Sequence, residues 1–235
     1  PGPATFPALA MRVIDLVEQP DVDITRLVNV INQDSAIVAN IIKAANTVEN
    51  RRSIKIEDLR TCLNLLGLKD VAHISVAVAG RSLFDMETRA EFELMSGMWQ
   101  RLYLSGMTTA FTAGWLAQRR AGRSDHAFLG GMFADIGKSI ALRSYSKLLI
   151  EGKLQTRVAD TVIERVLESV HLELGIAMHA TWKLPAFSAL ICKHHHEPQL
   201  DAKEEFADLH MIRVVAGLNQ LRWGYVEPLA AQVRR

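Results

Sequence analysis

Ile74-Ser75-Val76-Ala77-Val78 is the stretch on which the fold class turns, because its alternation is that of a β-strand. A strand must pair its backbone donors and acceptors with a neighbour, and no convincing partner strand exists elsewhere in the chain. Its surroundings are helical, so we assign it to a helix. On its N-terminal side, Leu59, Cys62, Leu63 and Leu66 repeat at helical spacing and stop at Gly67, a natural terminator. Ile37, Ile41, Ala45 and Val48 mark a helix that Asp34 caps. Ile24, Leu27, Val28 and Ile31 mark another, with Asp23 as N-cap. Leu9, Val13, Leu16 and Val17 form the first, with Pro7 in its first turn and Pro20 beyond its end.

On its C-terminal side, Ser82 to Arg89 is polar enough to connect two lobes. Met107, Ala110, Phe111 and Gly114 to Leu116 belong to a long helix, and Gly122 to Asp125 read as a turn. Helices are then expected from about His126 to Arg143, through Val162, Val166 and Val170, from about Glu173 to Trp182, from Phe187 to His195 and from Ala202 to Trp223. Leu184-Pro185 breaks the third of these. The expectation is an all-α multi-helix bundle in two lobes, with residues 1–89 as the first and 90–200 as the second. Residues 201–235 supply a C-terminal helix and tail that pack on the module.

The 235 residues are 49% hydrophobic and 23% charged with a net charge of +1, which excludes disorder and gives no broad attraction for nucleic acid or anionic membrane. Arg119, Arg120 and Arg123, and the terminal Arg234-Arg235, are short clusters that read as a solvated loop and tail. Cys62 and Cys192 lie in apolar helical patterns as buried thiols, which fits a reducing cytoplasm. No apolar run reaches the roughly 20 residues of a membrane span. Pro1-Gly2-Pro3 resembles a linker end and not a signal peptide.

Gly137-Lys138-Ser139 has the ending of a phosphate-binding P-loop. Five residues separate Gly131 from Gly137 where four are needed, and a helical run precedes them where a strand is needed. The histidines carry more. His171, His179, His194, His195 and His196 follow Asp135, and imidazoles with a carboxylate on neighbouring helices are how a bundle builds a metal site. The plainer reading is that His194 to His196 end a helix and complement its dipole.

Phe133-Ala134-Asp135-Ile136-Gly137-Lys138 resembles the HD-Ile-Gly-Lys signature of HD-domain phosphohydrolases, with alanine in place of the histidine. His171-Leu-Glu-Leu-Gly175 is similar to that family's next histidine segment. Trp182-Lys-Leu-Pro185 and His195-His196-Glu197-Pro198 resemble segments found together in HDOD proteins. So do Phe6-Pro7, Asp34-Ser-Ala-Ile-Val-Ala-Asn-Ile-Ile-Lys-Ala-Ala-Asn46 and Leu66-Gly67. The resemblance covers most of residues 6 to 200 and implies an HD-like C-terminal lobe.

It further implies that Ser105 and Ala134 stand where two metal-ligating histidines belong, while Asp135, His171, His195 and His196 keep ligand positions. Alanine cannot ligate, and a neutral hydroxyl substitutes poorly for imidazole. No tightly held metal and no other cofactor is therefore expected. Should an ion bind, Asp135, His171, His195 and His196 would hold it. Asp135 can otherwise pair with Lys138 or accept hydrogen bonds at a helix start, His171 can hydrogen-bond in the interior, and Asn46 can satisfy backbone groups.

The resemblance implies a bacterial, non-catalytic signalling module, and the cysteine usage a cytoplasmic one. Its expected partners are other signalling proteins or domains, with the interlobe cleft a natural place for a small-molecule ligand and neither nucleic acid nor membrane among them. The alternative is a residual metal-dependent phosphohydrolase acting on nucleotides or cyclic dinucleotides, with Lys138 steadying a phosphate. A third reading, nucleic-acid binding through Arg119, Arg120 and Arg123, predicts affinity that falls steeply with salt.

Overall fold

The computed structural model describes residues 8–48, 56–84, 88–120, 124–182, 184–197 and 207–222. Phe6, Pro7, Arg123, Pro198, Trp223 and the terminal arginines lie outside the described residues. Every regular element among the described residues is a helix, as the sequence predicts, and Ile74 to Val78 fall inside one. The chain divides into two compact units, Pro1–Leu83 and Phe84–Arg235.

The first unit contains α1 (Ala8–Val17), α2 (Ile24–Ile31), α3 (Ser35–Val48), α4 (Leu59–Leu66) and nearly all of α5 (Leu68–Phe84). The expected caps are in place. Asp23 accepts from the Arg26 amide at 3.0 Å, and Asp34 accepts from the Ala36 and Ile37 amides at 2.8 and 3.1 Å. Each satisfies amides that a helix start leaves without partners. Gly67, at φ 83°, ends α4 in a conformation that costs a side-chain-bearing residue energy. Leu27, Ile31, Ile37, Ile41 and Leu63 are fully buried. Asn46 donates to the Ile42 and Ile56 carbonyls at 2.8 and 2.7 Å and accepts from the Ile56 amide at 2.9 Å, the role expected of it.

The second unit begins with α6 (Arg89–Arg119), opened by a capping box in which Thr88 and Glu91 serve each other's amides. Then come α7 (Ser124–Phe133), α8 (Ile136–Ile150), α9 (Asp160–Trp182), α10 (Ala186–His194) and α11 (Ala207–Arg222). Trp99, Met95 and Met98 of α6 bury against Leu142, Ile163 and Leu167. Ala113 and Ala117 pack with Ala127, Ile191, Leu209 and Ile212. A buried hydrogen bond of 2.9 Å from Asn219 to Thr109 ties α11 to α6.

Three boundaries differ from expectation. The helix read from His126 to Arg143 is two helices, broken at Ala134–Asp135, where Asp135 takes φ −102° and ψ 14°. No proline marks that break. The segments read as separate helices around Val166 and from Glu173 form the single helix α9, because nothing between Asp160 and Trp182 interrupts the i to i−4 ladder. Ser124 already starts α7, so Asp125 is helical and not part of a turn. No single helix among the described residues is long and apolar enough to cross a membrane.

Candidate metal centre of the second unit

The break at Ala134–Asp135 presents the Asp135 carboxylate, and glycine sets where it goes. A methyl group on Gly137 would lie 2.7 Å from the His171 carbonyl carbon and 2.8 Å from the Gly175 nitrogen, so only hydrogen lets α8 start against the backbone of α9. That crossing carries Asp135 and Lys138 to His171. The end of α10 brings the rest: His195 is its C-cap and His196 follows.

One ligand atom from each of Asp135, His171, His195 and His196 can be chosen so that all four lie within 4.8 Å of one another. Nε2 of His195 stands 3.4 Å and Nε2 of His171 3.6 Å from Asp135 Oδ1, and the His171 and His196 Nε2 atoms are 3.1 Å apart. His171 and His195 are nearly inaccessible to solvent. Their Nδ1 atoms lie 2.7 Å from the Glu168 carbonyl and 2.8 Å from the Cys192 carbonyl. A carbonyl only accepts, so Nδ1 carries a proton in both rings and Nε2 is the atom turned to the carboxylate. A carboxylate gathered with imidazole nitrogens in a buried site is favourable only with a positive charge beside it.

Lys138 supplies one such charge. Its ammonium lies 2.9 Å from Asp135 Oδ1 and 2.7 Å from Glu168 Oε2, with the lysine side chain almost wholly buried. Glu168 Oε1 in turn stands 3.3 Å from His196 Nε2. The contacts close a ring running Asp135, Lys138, Glu168, His196, His171 and back. Burial works against the Asp135 carboxylate, but the Lys138 ammonium and then His195 outweigh it and hold the group well below the usual carboxylate range. Burial likewise opposes the charge on Lys138, and Asp135 and Glu168 overcome it, so its pKa rises above the ordinary value. Burial pushes His171 down. Burial and then the neighbouring His195 push His196 down to about 4.

The donor set suits a borderline divalent ion. Three imidazoles and a carboxylate are common ligands of zinc and its neighbours. Bonds of about 2.1 Å to one tetrahedral centre put ligand atoms about 3.4 Å apart, against separations here of 3.1, 3.4 and 3.6 Å. Backbone carbonyls behind His171 and His195 are the customary support for such ligands. The donor types and these separations, with all four atoms inside 4.8 Å of one another, are compatible with one divalent ion, and the Lys138 ammonium occupies Asp135 Oδ1.

Of the residues singled out in the sequence, the structure brings together Asp135, Lys138, His171, His195 and His196. Ala134 is buried beside them with no donor atom. Ser105 lies half-buried on α6, and among the described residues no hydrogen bond or ion pair joins it to the cluster. His194 turns instead to Glu197, at 2.6 Å. His179 bonds the Gly175 carbonyl at 2.8 Å and leaves its buried Nε2 without a partner. Asp135 makes no side-chain cap hydrogen bond, so of its two plainer roles the Lys138 pair is the one it adopts. Glu168 is the site residue that sequence reasoning missed. Its signal was spacing: it precedes His171 by three positions and shares that face of α9. Arg119 lies over the Trp115 ring at 4.0 Å.

Comparison with known proteins agrees with this architecture. The family model for the HDOD domain matches residues 4–198. An uncharacterized protein of Treponema pallidum (strain Nichols) is 24% identical over 212 residues, which are 87% of this chain and 39% of that protein. The chain thus spans about two-fifths of the curated relative it matches. An HDOD domain protein with unknown function from Geobacter sulfurreducens superposes with a TM-score of 0.71 at 19% identity, over 95% of this chain and 74% of that one. A protein of Shewanella amazonensis SB2B, provisionally described as a metal-dependent phosphohydrolase, superposes with a TM-score of 0.69 at 21% identity, over 99% and 83% of the two chains. At such identities the likeness to solved structures is one of fold. The family match over most of the length settles the classification, and the chain belongs to the HDOD domain family.

Proposed function

We propose that the protein is a non-catalytic regulatory module of bacterial signal transduction that works in the cytoplasm through contacts with other signalling proteins or domains. The observation that carries this reading is the incomplete donor set: Ala134, buried directly before Asp135, and Ser105, half-buried on α6, offer no imidazole where the resemblance places two ligating histidines. The Lys138 ammonium lodged between Asp135 and Glu168 already neutralises part of the negative charge there. Two buried, free cysteines suit a reducing compartment. The test is a phosphodiesterase assay on the full chain with cyclic dinucleotides and added manganese or iron. No turnover above the metal-only blank is expected. Turnover that Asp135→Ala abolishes would contradict the reading.

A residual phosphohydrolase is favoured by one observation, the convergence of Asp135, His171, His195 and His196. These four would hold the ion, which when bound supplies a water acidic enough to attack a phosphate ester near neutral pH. In that case His171 and His195 are held in the ligating tautomer by their carbonyl partners, and Lys138 steadies an anionic phosphate oxygen.

A further inference from the structure

We infer that the Lys138 ammonium and a divalent metal ion compete for Asp135, so that Lys138 lowers the metal affinity of this chain and moves off Asp135 when an ion binds. The inference deepens the regulatory reading and rests on its view of Lys138 as the site's own cation.

Three features carry it. The first is a shared atom. Asp135 Oδ1 accepts from Lys138 at 2.9 Å, and it is the same oxygen that the His195 and His171 nitrogens approach at 3.4 and 3.6 Å. The second is charge. Asp135 and Glu168 are two carboxylates against one ammonium, which leaves one negative charge in excess when the imidazoles are neutral. A divalent ion added beside Lys138 reverses the sign and sets two cations against each other in a largely buried site, where repulsion is poorly screened. The third is a route of escape. Lys138 is bound to Glu168 at 2.7 Å as well, and the Glu168 side chain is 42% exposed. The ammonium can therefore leave Asp135, stay paired with Glu168 and turn toward solvent on its flexible stem.

The competition is measured by titrating cobalt(II) into the metal-free full chain and into Lys138→Met, Lys138→Arg and the double variant Lys138→Met/Asp135→Asn. Binding is read from visible absorbance and from competition with a chromophoric chelator. Lys138→Met is expected to bind cobalt at least tenfold more tightly than the wild type, Lys138→Arg to stay near the wild type, and the double variant to lose the gain. Equal or weaker binding by Lys138→Met would overturn the inference, and so would the absence of binding in every variant. Should Lys138→Met fold poorly without metal, cobalt must restore its cooperative unfolding while leaving the wild-type transition nearly unmoved; failure to restore it also overturns the inference. Ester hydrolysis by the wild type would instead remove the regulatory reading, leaving the affinity ratio to decide the competition.

Discussion

Asn46 in the first unit and Asp135 in the second are both short polar side chains around which neighbouring segments gather, yet they complete their hydrogen bonds differently. Asn46 gives both amide protons to carbonyls and takes one amide proton in return, so nothing around it is left over. Asp135 takes Lys138 and then faces the Nε2 atoms of two imidazoles whose Nδ1 atoms are bound to backbone carbonyls. The first arrangement is finished from within the chain, as buried polar groups usually are. The second sets two carboxylates, Asp135 and Glu168, against one ammonium. The difference separates a polar group that holds a fold together from a cluster that keeps capacity for a cation or a proton.

The comparison can be broken most forcefully at the helix crossing that builds the second cluster. Gly137→Ala drives a methyl group into the backbone of α9 at His171 and should cost about 3 kcal/mol or more, since helix backbones cannot repack around it. All four tryptophans lie beyond residue 84, so tryptophan fluorescence in denaturant reads the second unit alone. An unchanged midpoint would show that the crossing is looser than described.

Asn46→Ala attacks the finished cluster. It leaves the Ile56 amide and two carbonyls without their partner, at a cost of about 1–3 kcal/mol. Amide exchange should accelerate in residues of the first unit, with the cobalt titration of the second unit unaltered. A weaker cobalt titration would show that the two clusters are not independent.

Acid should separate the clusters next. Burial lowers His171, His179 and His196 from 6.5, and His196 falls to about 4. A histidine that resists protonation when folded binds fewer protons than in the unfolded chain. Its penalty is absent above pH 6.5, grows as pH falls below that value and levels off below the folded pKa. The fluorescence-detected midpoint of the metal-free protein should therefore decline from pH 6.5 to about 4. His196→Gln should flatten part of that decline. A flat profile in the wild type would show that these imidazoles are not buried neutral.

The smallest effect concerns a cap. Asp34→Ala removes the acceptor for the Ala36 and Ile37 amides and should cost about 1 kcal/mol in thermal unfolding followed by circular dichroism. An unchanged transition would mean that another group takes over those amides.

Those caps also mark what was legible in the sequence. Asp23, Asp34 and Gly67 act locally, within a few residues of themselves, and so do the apolar faces of α1 to α4. Thr88-x-x-Glu91 was equally readable as a capping box, although the polar composition of Ser82 to Arg89 suggested only a connection. The break before α8 was not legible, because tertiary contact makes it: Gly137 lets one backbone press on another, and the chain turns at Asp135 to meet α9. Four ligand positions were read from their resemblance to known segments. Glu168 carried no such resemblance and looked like any charged residue on a helix face. Its role exists only because Lys138 and His196 arrive from other helices.

The most direct test of the central claim is the metal content of the purified, unchelated protein, by elemental analysis against protein concentration. The regulatory reading, with Lys138 as the resident cation, predicts well under one equivalent of iron, manganese and zinc together. A full equivalent that Asp135→Ala removes would contradict it and would give the hydrolase reading the lead.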